Sequence, residues 1–320
     1  MVDINDVLKW YDANYEICAS YILNDEKKIY LGDKTNKICR FCGRDKNAGA
    51  TFKKEAHALS HLISNNRLFS YYECDDCNQK YAKYENDYAA FMKLYHCILQ
   101  VSGKNGIPSF KVRKSRIDAQ DANIDIKVFE DDDSLVAEID EVNNKLILKG
   151  LRSYTPLYVY KALLKMALTI VPNDDANHLT KAMTFLKSDY LPKLKLPVLF
   201  QIFGGRRKNV YRYVTTIMFR RKAESVENIP SYWYVLAYNN ICIQMPIFGS
   251  DFDEKINGAT MNFIPFPTPP EISGTPIIRN GWVDLSSAIQ EKKEINSITL
   301  QFEDMESIDL TEDLENDSTK

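Results

Sequence analysis

The sequence predicts an α+β protein in which a small domain with clustered cysteines precedes a larger domain of mixed helices and strands. Its 320 residues are 45% hydrophobic and 12% aromatic, which is enough to bury a substantial core. Two Cys-x-x-Cys pairs lie close together in the N-terminal third of the chain. Beyond them, helical and strand-like hydrophobic patterns occur side by side. A metal-stapled module followed by a mixed α+β domain accounts for all three observations.

Membrane and secreted classes are disfavoured by the sequence. No stretch approaches the roughly 18 uninterrupted apolar residues of a membrane span, and the first residues lack the basic and apolar regions of a signal peptide. The seven cysteines are odd in number, and two pairs are spaced too closely for an ordinary disulfide. We therefore predict a cytoplasmic protein with reduced cysteines and no membrane partner.

The first 102 residues contain a lead-in and a compact domain. Residues 1–35 predict a short amphipathic helix at 5–16 and strands at 17–23 and 28–31. Residues 78–95 lack glycine and proline and carry aromatic residues at steps of three and four, which predicts a helix with a buried aromatic stripe. These elements enclose the cysteine pairs, so we predict a domain at 36–102.

The rest of the chain predicts a second domain and a tail. Two glycines and a proline follow residue 102, and we place the second domain at 107–302. Residues 303–320 hold one lysine against eight Asp and Glu, which indicates disorder. The elements predicted within the second domain are strands at 121–130 and 135–149, helices at 156–171 and 176–188, and strands at 210–219 and 233–244.

The net charge of −3 hides a basic block around the cysteines. Residues 39–116 carry 14 Lys and Arg against 7 Asp and Glu, whereas the tail is strongly acidic. A locally basic block in an acidic protein indicates contact with a polyanion. A nucleic acid is therefore the partner that this charge distribution indicates.

The two cysteine pairs predict a structural zinc site. Two intervening residues let both sulfurs of a pair turn to one ion at about 2.3 Å, and four thiolates complete a tetrahedral shell. A redox pair is the alternative, but it would require a βαβ pattern that the sequence does not show. The four predicted zinc ligands are Cys39, Cys42, Cys74 and Cys77.

These cysteines and the residues between them resemble the HNH endonucleases, also called His-Me finger or ββα-metal nucleases, in the bacterial branch with two CxxC zinc knuckles. The matching stretches are 39–43, 51–59 and 65–78. The resemblance implies a ββα-metal nuclease domain that hydrolyses phosphodiester bonds, preferentially in DNA. It implies structural Zn²⁺ together with catalytic Mg²⁺ or Mn²⁺, and it suggests an effector of bacterial defence against phage or plasmid DNA.

The resemblance also assigns roles to individual residues. His57 matches the general base that deprotonates a water, and Asn78 matches a ligand of the catalytic metal. Asn65 or Asn66 matches the asparagine that orients the histidine. Glu85 lies two helical turns after Asn78 and can support the metal site. The candidate nucleic-acid-binding residues are Lys53, Lys54, Arg67 and Lys80.

Ser60 and Ser64 replace a proline and a glycine that the family often has, and a further departure leaves the metal site open. Ala56 stands where the family usually has a metal ligand. Glu55 shares a strand face with His57 and can replace that ligand, and His61 is a second candidate. A zinc-protease HExxH reading is disfavoured, because Ala58 replaces the required glutamate.

Two other function classes remain at this stage. A zinc-knuckle module that binds nucleic acid or protein without catalysis is the main alternative, with Ala56 marking a decayed site. A structural or interaction protein stapled by the metal is the second. The sequence leaves open the choice between DNA and RNA, the cleaved sequence and the oligomeric state. It also leaves open which regulatory ligand or protein partner the second domain recognises.

Overall fold

The computed structural model describes residues 3–24, 27–121, 123–129, 135–189, 195–204, 209–249, 253, 261–294 and 298–306. Helices and mainly antiparallel sheets are mixed along the chain, which confirms the predicted α+β class. None of the helices in these ranges combines the length and the apolar character needed to cross a bilayer. The predicted disordered tail lies outside the described residues from position 307 onward.

The helices and strands have the following bounds, given in chain order for each type. The described α-helices are α1 (Ile4–Asn14), α2 (Asp75–Ile98), α3 (Pro156–Ile170), α4 (Asn173–His178), α5 (Thr180–Lys187) and α6 (Pro269–Ile272). The first strands are β1 (Tyr15–Ile22), β2 (Ile29–Leu31), β3 (Ala56–His57), β4 (Leu68–Ser70), β5 (Phe110–Val112), β6 (Ser115–Gln120), β7 (Asn123–Lys127) and β8 (Leu135–Asp140). The later strands are β9 (Lys145–Tyr154), β10 (Pro197–Phe203), β11 (Tyr211–Arg221), β12 (Tyr232–Asn239), β13 (Ile241–Ile247), β14 (Ile277–Asp284), β15 (Glu291–Glu294) and β16 (Ile298–Gln301).

A six-stranded antiparallel sheet forms the centre of the molecule, in the order β1-β11-β12-β13-β10-β14. Strands β12 and β13 are buried along nearly their whole lengths. The N-terminal lead-in supplies the edge strand β1, which pairs with β11 from Tyr15 opposite Arg221 to Ile22 opposite Thr215. The lead-in is thus part of the central sheet.

Helix α2 connects the cysteine region to the central sheet. Its aromatic stripe is buried as predicted: Phe91 packs on Phe200 of β10 with ring centroids 4.9 Å apart. On the same helix, His96 hydrogen-bonds to the hydroxyl of Tyr238 at 2.9 Å, and burial lowers the pKa of His96 to about 3. Helix α3 packs along α2, so a single hydrophobic core includes residues from both predicted domains.

Three predicted elements differ in extent from the structure. The range 233–244 is strand as predicted, but it is divided between β12 and β13, because Asn239 adopts a left-handed φ of 50° and a turn separates the two. The predicted helix 176–188 is two helices, α4 and α5. The first helix ends at Asn14 rather than at 16, since the chain enters β1 at Tyr15.

A small sheet of three strands carries the candidate site. Strand β3 runs antiparallel to β4, which runs parallel to β2. His57, Phe69 and Tyr30 are therefore paired neighbours across the three strands. Strands β3 and β4 are followed directly by α2, which is the ββα element order that the resemblance implies.

Candidate metal and nucleic-acid site

The four predicted zinc ligands converge on one point. The sulfur atoms of Cys39, Cys42, Cys74 and Cys77 all lie within 4.8 Å of one another. The Sγ atoms of Cys42 and Cys74 are 3.7 Å apart. Three of the four residues are buried, and Cys42 is partly exposed. The predicted grouping is confirmed, and its geometry suits the coordination of one metal ion.

Local backbone geometry turns each cysteine pair inward. In the first knuckle, the Gly43 N–H donates to the Cys39 carbonyl at 2.7 Å, and Gly43 has a left-handed φ of 74°. In the second knuckle, Cys74 is the N-cap residue of α2, and the Asn78 N–H donates to its carbonyl at 3.0 Å. The Cys74 N–H also donates to the Cys39 sulfur at 3.4 Å. Each pair is therefore held by its own turn.

The crowding of the thiols shifts the pKa values of Cys39, Cys74 and Cys77 in different directions. A hydrogen bond shared with Cys77 lowers the pKa of Cys39 to about 4, and the same bond raises the pKa of Cys77. Burial raises the pKa of Cys74 to about 11. One thiolate thus forms readily, and a bound cation supplies the charge that holds the others deprotonated.

Arg40 ties the first knuckle to helix α3. Its guanidinium donates to the carbonyl oxygens of Leu168 at 2.8 Å and Val171 at 2.7 Å, and to the side chain of Asn173 at 2.7 Å. These acceptors lie at the C-terminal end of α3, where carbonyls lack partners within the helix. The guanidinium also lies 3.8 Å above the ring centre of Tyr72. The knuckle is therefore fixed against the C-terminal part of the chain.

His57 lies on β3 with a half-buried imidazole. Its Nδ1 is a buried atom without a hydrogen-bond partner among the described residues. Burial lowers the pKa of His57, and the nearby His61 and Lys165 lower it further, against an opposing effect of Glu85. The imidazole is thus neutral near pH 7 and can accept a proton. Its ring centroid lies 4.9 Å from that of His61 and 4.7 Å from that of Phe69.

A buried ion cluster lies directly beneath His57. The Lys165 ammonium of α3 is 2.8 Å from the Glu73 carboxylate and 3.6 Å from that of Glu85, and it donates to the His57 carbonyl at 3.1 Å. The side chains of Lys165 and Glu73 are only 2% and 0% exposed. Burial acts to lower the pKa of Lys165, but the two carboxylates outweigh it and raise that pKa. Lys165 therefore remains charged and fixes the backbone of His57.

The two candidate asparagines have different environments. Asn65 is fully buried, and its Nδ2 donates to the carbonyls of Leu59 at 2.6 Å and Leu68 at 3.0 Å. Its Oδ1 accepts from the Leu68 N–H at 3.0 Å. Asn66 is exposed. Asn65 thus organises the loop between β3 and β4, and it acts on His57 only through that loop.

The residues predicted for a second metal do not form a closed shell. Within the described ranges, the four cysteines are the one group of three or more His, Cys, Asp or Glu ligands that converge as a metal site requires. The Glu55 carboxylate accepts from Lys28 at 3.0 Å and from the Tyr30 hydroxyl. Asn78 is half-buried in the first turn of α2, and Ala56 points into the core with 2% exposure.

The predicted nucleic-acid-binding residues are distributed unevenly. Lys53 and Lys54 expose their side chains, while their N–H groups donate to the Asp75 carboxylate at 3.0 Å each. Lys80 donates to the Lys187 carbonyl at 3.0 Å, at the end of α5. Arg67 is half-buried beside β4. Lys53 and Lys54 are therefore the ones that lie on the segment leading into β3 and His57.

Sequence reasoning missed Glu73, Lys165, Lys28 and Tyr30. Lys165 did carry a signal, because a lysine within the apolar run of α3 needs a partner when that helix is buried. Glu73 precedes Cys74 directly but has no motif of its own. These contacts join residues up to 108 positions apart, so spacing alone could not reveal them.

The geometry of the site can be set beside known proteins. No protein-family model, curated protein or solved structure matches this chain. The likeness to HNH nucleases therefore rests on the motif residues and on the ββα order of the elements that carry them.

Proposed function

We propose that this protein is a metal-dependent HNH-type endonuclease that hydrolyses phosphodiester bonds, with DNA as its preferred substrate. The observation that carries the proposal is the position of His57: it lies on the first strand of a ββα unit whose helix begins at the four-cysteine cluster. Its ring is half-buried and neutral, and its Nδ1 has no partner among the described residues. The neutral ring is the property that a general base needs in order to accept a proton from water.

The four cysteines would hold a structural Zn²⁺ in this proposal. Four sulfurs within 4.8 Å of one another match the all-thiolate sites that zinc occupies. The metal staples the loop that precedes β3 to the first turn of α2. It has no role in the reaction itself, since a shell of four thiolates leaves no position for substrate.

The catalytic Mg²⁺ or Mn²⁺ would bind beside His57 with few protein donors. Mg²⁺ keeps several waters and is bound by one or two protein groups together with substrate phosphates, so an open site suits it. Asn78, His61 and Glu85 are the side chains that could hold the ion, and its bound charge would neutralise the phosphate. His57 would take the proton of the attacking water, and Lys165 would keep the backbone of His57 in place.

A nicking assay tests the proposal. Supercoiled plasmid is incubated with Mg²⁺ or Mn²⁺ and with wild type, His57→Ala, or the matched control His178→Ala, which removes an exposed histidine on α4. We expect nicking by wild type and the control, none by His57→Ala, and the same zinc content in all three. Equal activity of wild type and His57→Ala would contradict the proposal.

The alternative is a zinc-knuckle module that binds nucleic acid without cutting it. The buried Ala56 favours this alternative, because no ligand atom is present at a position that usually supplies one. DNA binding with no His57-dependent cleavage at any divalent metal concentration would support it. A role in defence against phage or plasmid DNA, and a regulatory ligand or partner at the C-terminal domain, are proposals from the resemblance alone.

A further inference from the structure

One face of the β2-β4-β3 sheet carries a row of aromatic and charged side chains that ends at His57. Tyr30, Phe69 and His57 are paired neighbours across the three strands and lie side by side. Just beyond the ends of β4 and β3, Tyr71 stacks on Tyr30 and Glu55 accepts a hydrogen bond from it. Ala56 and Leu68 point to the opposite face and are buried. We call the row of Lys28, Tyr30, Glu55, Phe69, Tyr71 and Lys37 the lysine-aromatic row.

The rings of this row form a continuous stack. Tyr30 stacks on Phe69 with centroids 5.3 Å apart, and on Tyr71 with centroids 5.0 Å apart. The Lys28 ammonium lies 4.7 Å above Phe69, and the Lys37 ammonium lies 4.5 Å above Tyr71. Each cation is held by a cation–π contact with the ring beneath it. Two positive charges are thereby fixed at the two ends of the stack.

An anion-binding position already exists at one end of the row. The Glu55 carboxylate accepts a hydrogen bond from Lys28 at 3.0 Å and another from the Tyr30 hydroxyl. Both donors point at one exposed carboxylate. A phosphate oxygen has the same charge and the same accepting geometry, so Glu55 occupies a place that a phosphate can take.

We propose that the lysine-aromatic row binds the phosphate backbone of the nucleic acid strand next to the cleavage position, and that Glu55 is the internal anion which this phosphate displaces. The inference rests on the proposed function, because it takes His57 as the reacting centre. Both faces of Tyr30 are covered by neighbouring rings, so bases have no face to stack on there. The row therefore contacts phosphates without reading sequence.

This assignment differs from that of a metal ligand for Glu55. A metal ligand would need a carboxylate free to reach an ion beside His57, whereas the Glu55 carboxylate is already engaged by Lys28 and Tyr30. Removing its charge should then free Lys28 for phosphate. The two roles predict opposite effects of Glu55→Gln on DNA binding.

Fluorescence anisotropy with a short labelled duplex tests the proposal, in the His57→Ala background and without added Mg²⁺ or Mn²⁺. We expect Lys28→Ala and Lys37→Ala each to weaken binding several-fold and to reduce the slope of log Kd against log salt by about 0.9. Glu55→Gln should tighten binding several-fold. Lys127→Ala, which removes an exposed lysine on β7, is the matched control and should bind like the parent.

Several results would overturn the inference. Unchanged affinity and salt slope in both lysine variants would do so, and so would weaker binding by Glu55→Gln. Loss of cleavage by Glu55→Gln in the His57-containing protein, with binding unchanged, would assign Glu55 to the metal instead. Since binding is measured without cleavage, an inactive wild type that shows the expected binding pattern would contradict the proposed nuclease and leave only the phosphate-binding part of this inference standing.

Discussion

The four-cysteine cluster and the surroundings of His57 lie on the same ββα unit but are built in opposite ways. The cluster is complete within the chain: four sulfurs converge within 4.8 Å, and turns adjacent to each cysteine hold them there. The surroundings of His57 are open, with an unpartnered ring nitrogen and metal-ligand candidates that do not converge among the described residues. A closed shell suits a structural ion, whereas an open one leaves room for water and phosphate.

The two regions also differ in where their support comes from. The turns that direct the sulfurs inward are formed within a few positions of each cysteine, and Arg40 adds one distant contact, with the end of α3. His57 is held from below by Lys165, more than a hundred positions away on α3, and by the Glu73 that Lys165 binds. The comparison teaches that the structural site is a local product of the sequence, while the candidate reactive site depends on the whole fold.

Removal of the metal should have the largest effect. Structural zinc contributes about 10–16 kcal/mol in zinc-finger peptides, so Cys77→Ser should lose the metal and unfold or aggregate the ββα unit, as should Cys39→Ser. Elemental analysis should find about one zinc per wild-type chain. Cys18→Ser, outside the cluster, should keep both zinc and fold. A metal-free protein with unchanged circular dichroism and Tm would show that the cluster is not structural.

Loss of the buried charge beneath His57 should have the next largest effect. Lys165→Met leaves the Glu73 carboxylate buried without its cation, and we expect a loss of about 3–5 kcal/mol in the free energy of unfolding measured in urea. Lys161→Met, one turn earlier on α3, is the matched control. Lys161 donates to the Ser188 carbonyl and pairs with no buried carboxylate in the described part of the chain, so its loss should cost about 1–2 kcal/mol. Equal losses of unfolding free energy in the two variants would mean that the buried ion cluster contributes no more stability than the single hydrogen bond of Lys161.

The stability of the loop between β3 and β4 should depend on Asn65 but not on Asn66. Asn65→Ala leaves the buried carbonyls of Leu59 and Leu68 without the amide that binds them, which should lower the unfolding free energy by about 2–3 kcal/mol. Asn66→Ala, at an exposed position, should stay within about 0.5 kcal/mol of wild type. The reverse order would place the organising asparagine at position 66.

Substitutions in the open region around His57 should have the smallest effects on stability. Asn78→Ala and His61→Ala remove partly exposed side chains, and we expect unfolding free energies within about 0.5 kcal/mol of wild type. Both should instead raise the Mg²⁺ or Mn²⁺ concentration needed for half-maximal nicking. Metal titrations of plasmid nicking measure this shift, with His178→Ala as the control. Unchanged titrations for both variants and for their double variant would remove these residues from the metal site.

Much of the ββα unit followed from local pattern. The spacing of Cys39, Cys42, Cys74 and Cys77 implied their convergence, and the aromatic steps of residues 78–95 implied a buried helix, because both depend on nearby positions. The ends of elements were less certain: a left-handed Asn239 divides what hydrophobicity alone joins into one strand.

The partners of the candidate site could not be read from the sequence. Lys28 and Tyr30 meet Glu55 only because β2 pairs in parallel with β4, and parallel pairing brings together segments far apart in the chain. The same holds for Lys165, whose position in α3 shows that it is buried but not what it binds. Local propensity carries no information about such contacts.

The hydrogen bonds from Arg40 to the C-terminal end of α3 limit where the chain can be cut into separately folding fragments. The glycines near residue 106 mark an obvious place to cut, yet a fragment ending there would leave a guanidinium with no carbonyls to bind and an aromatic face of α2 open to water. The complementary fragment would carry a helix end with several unsatisfied oxygens. We therefore expect neither fragment to fold alone. Loss of metal at the knuckle should also destabilise α3 and, through it, the central sheet.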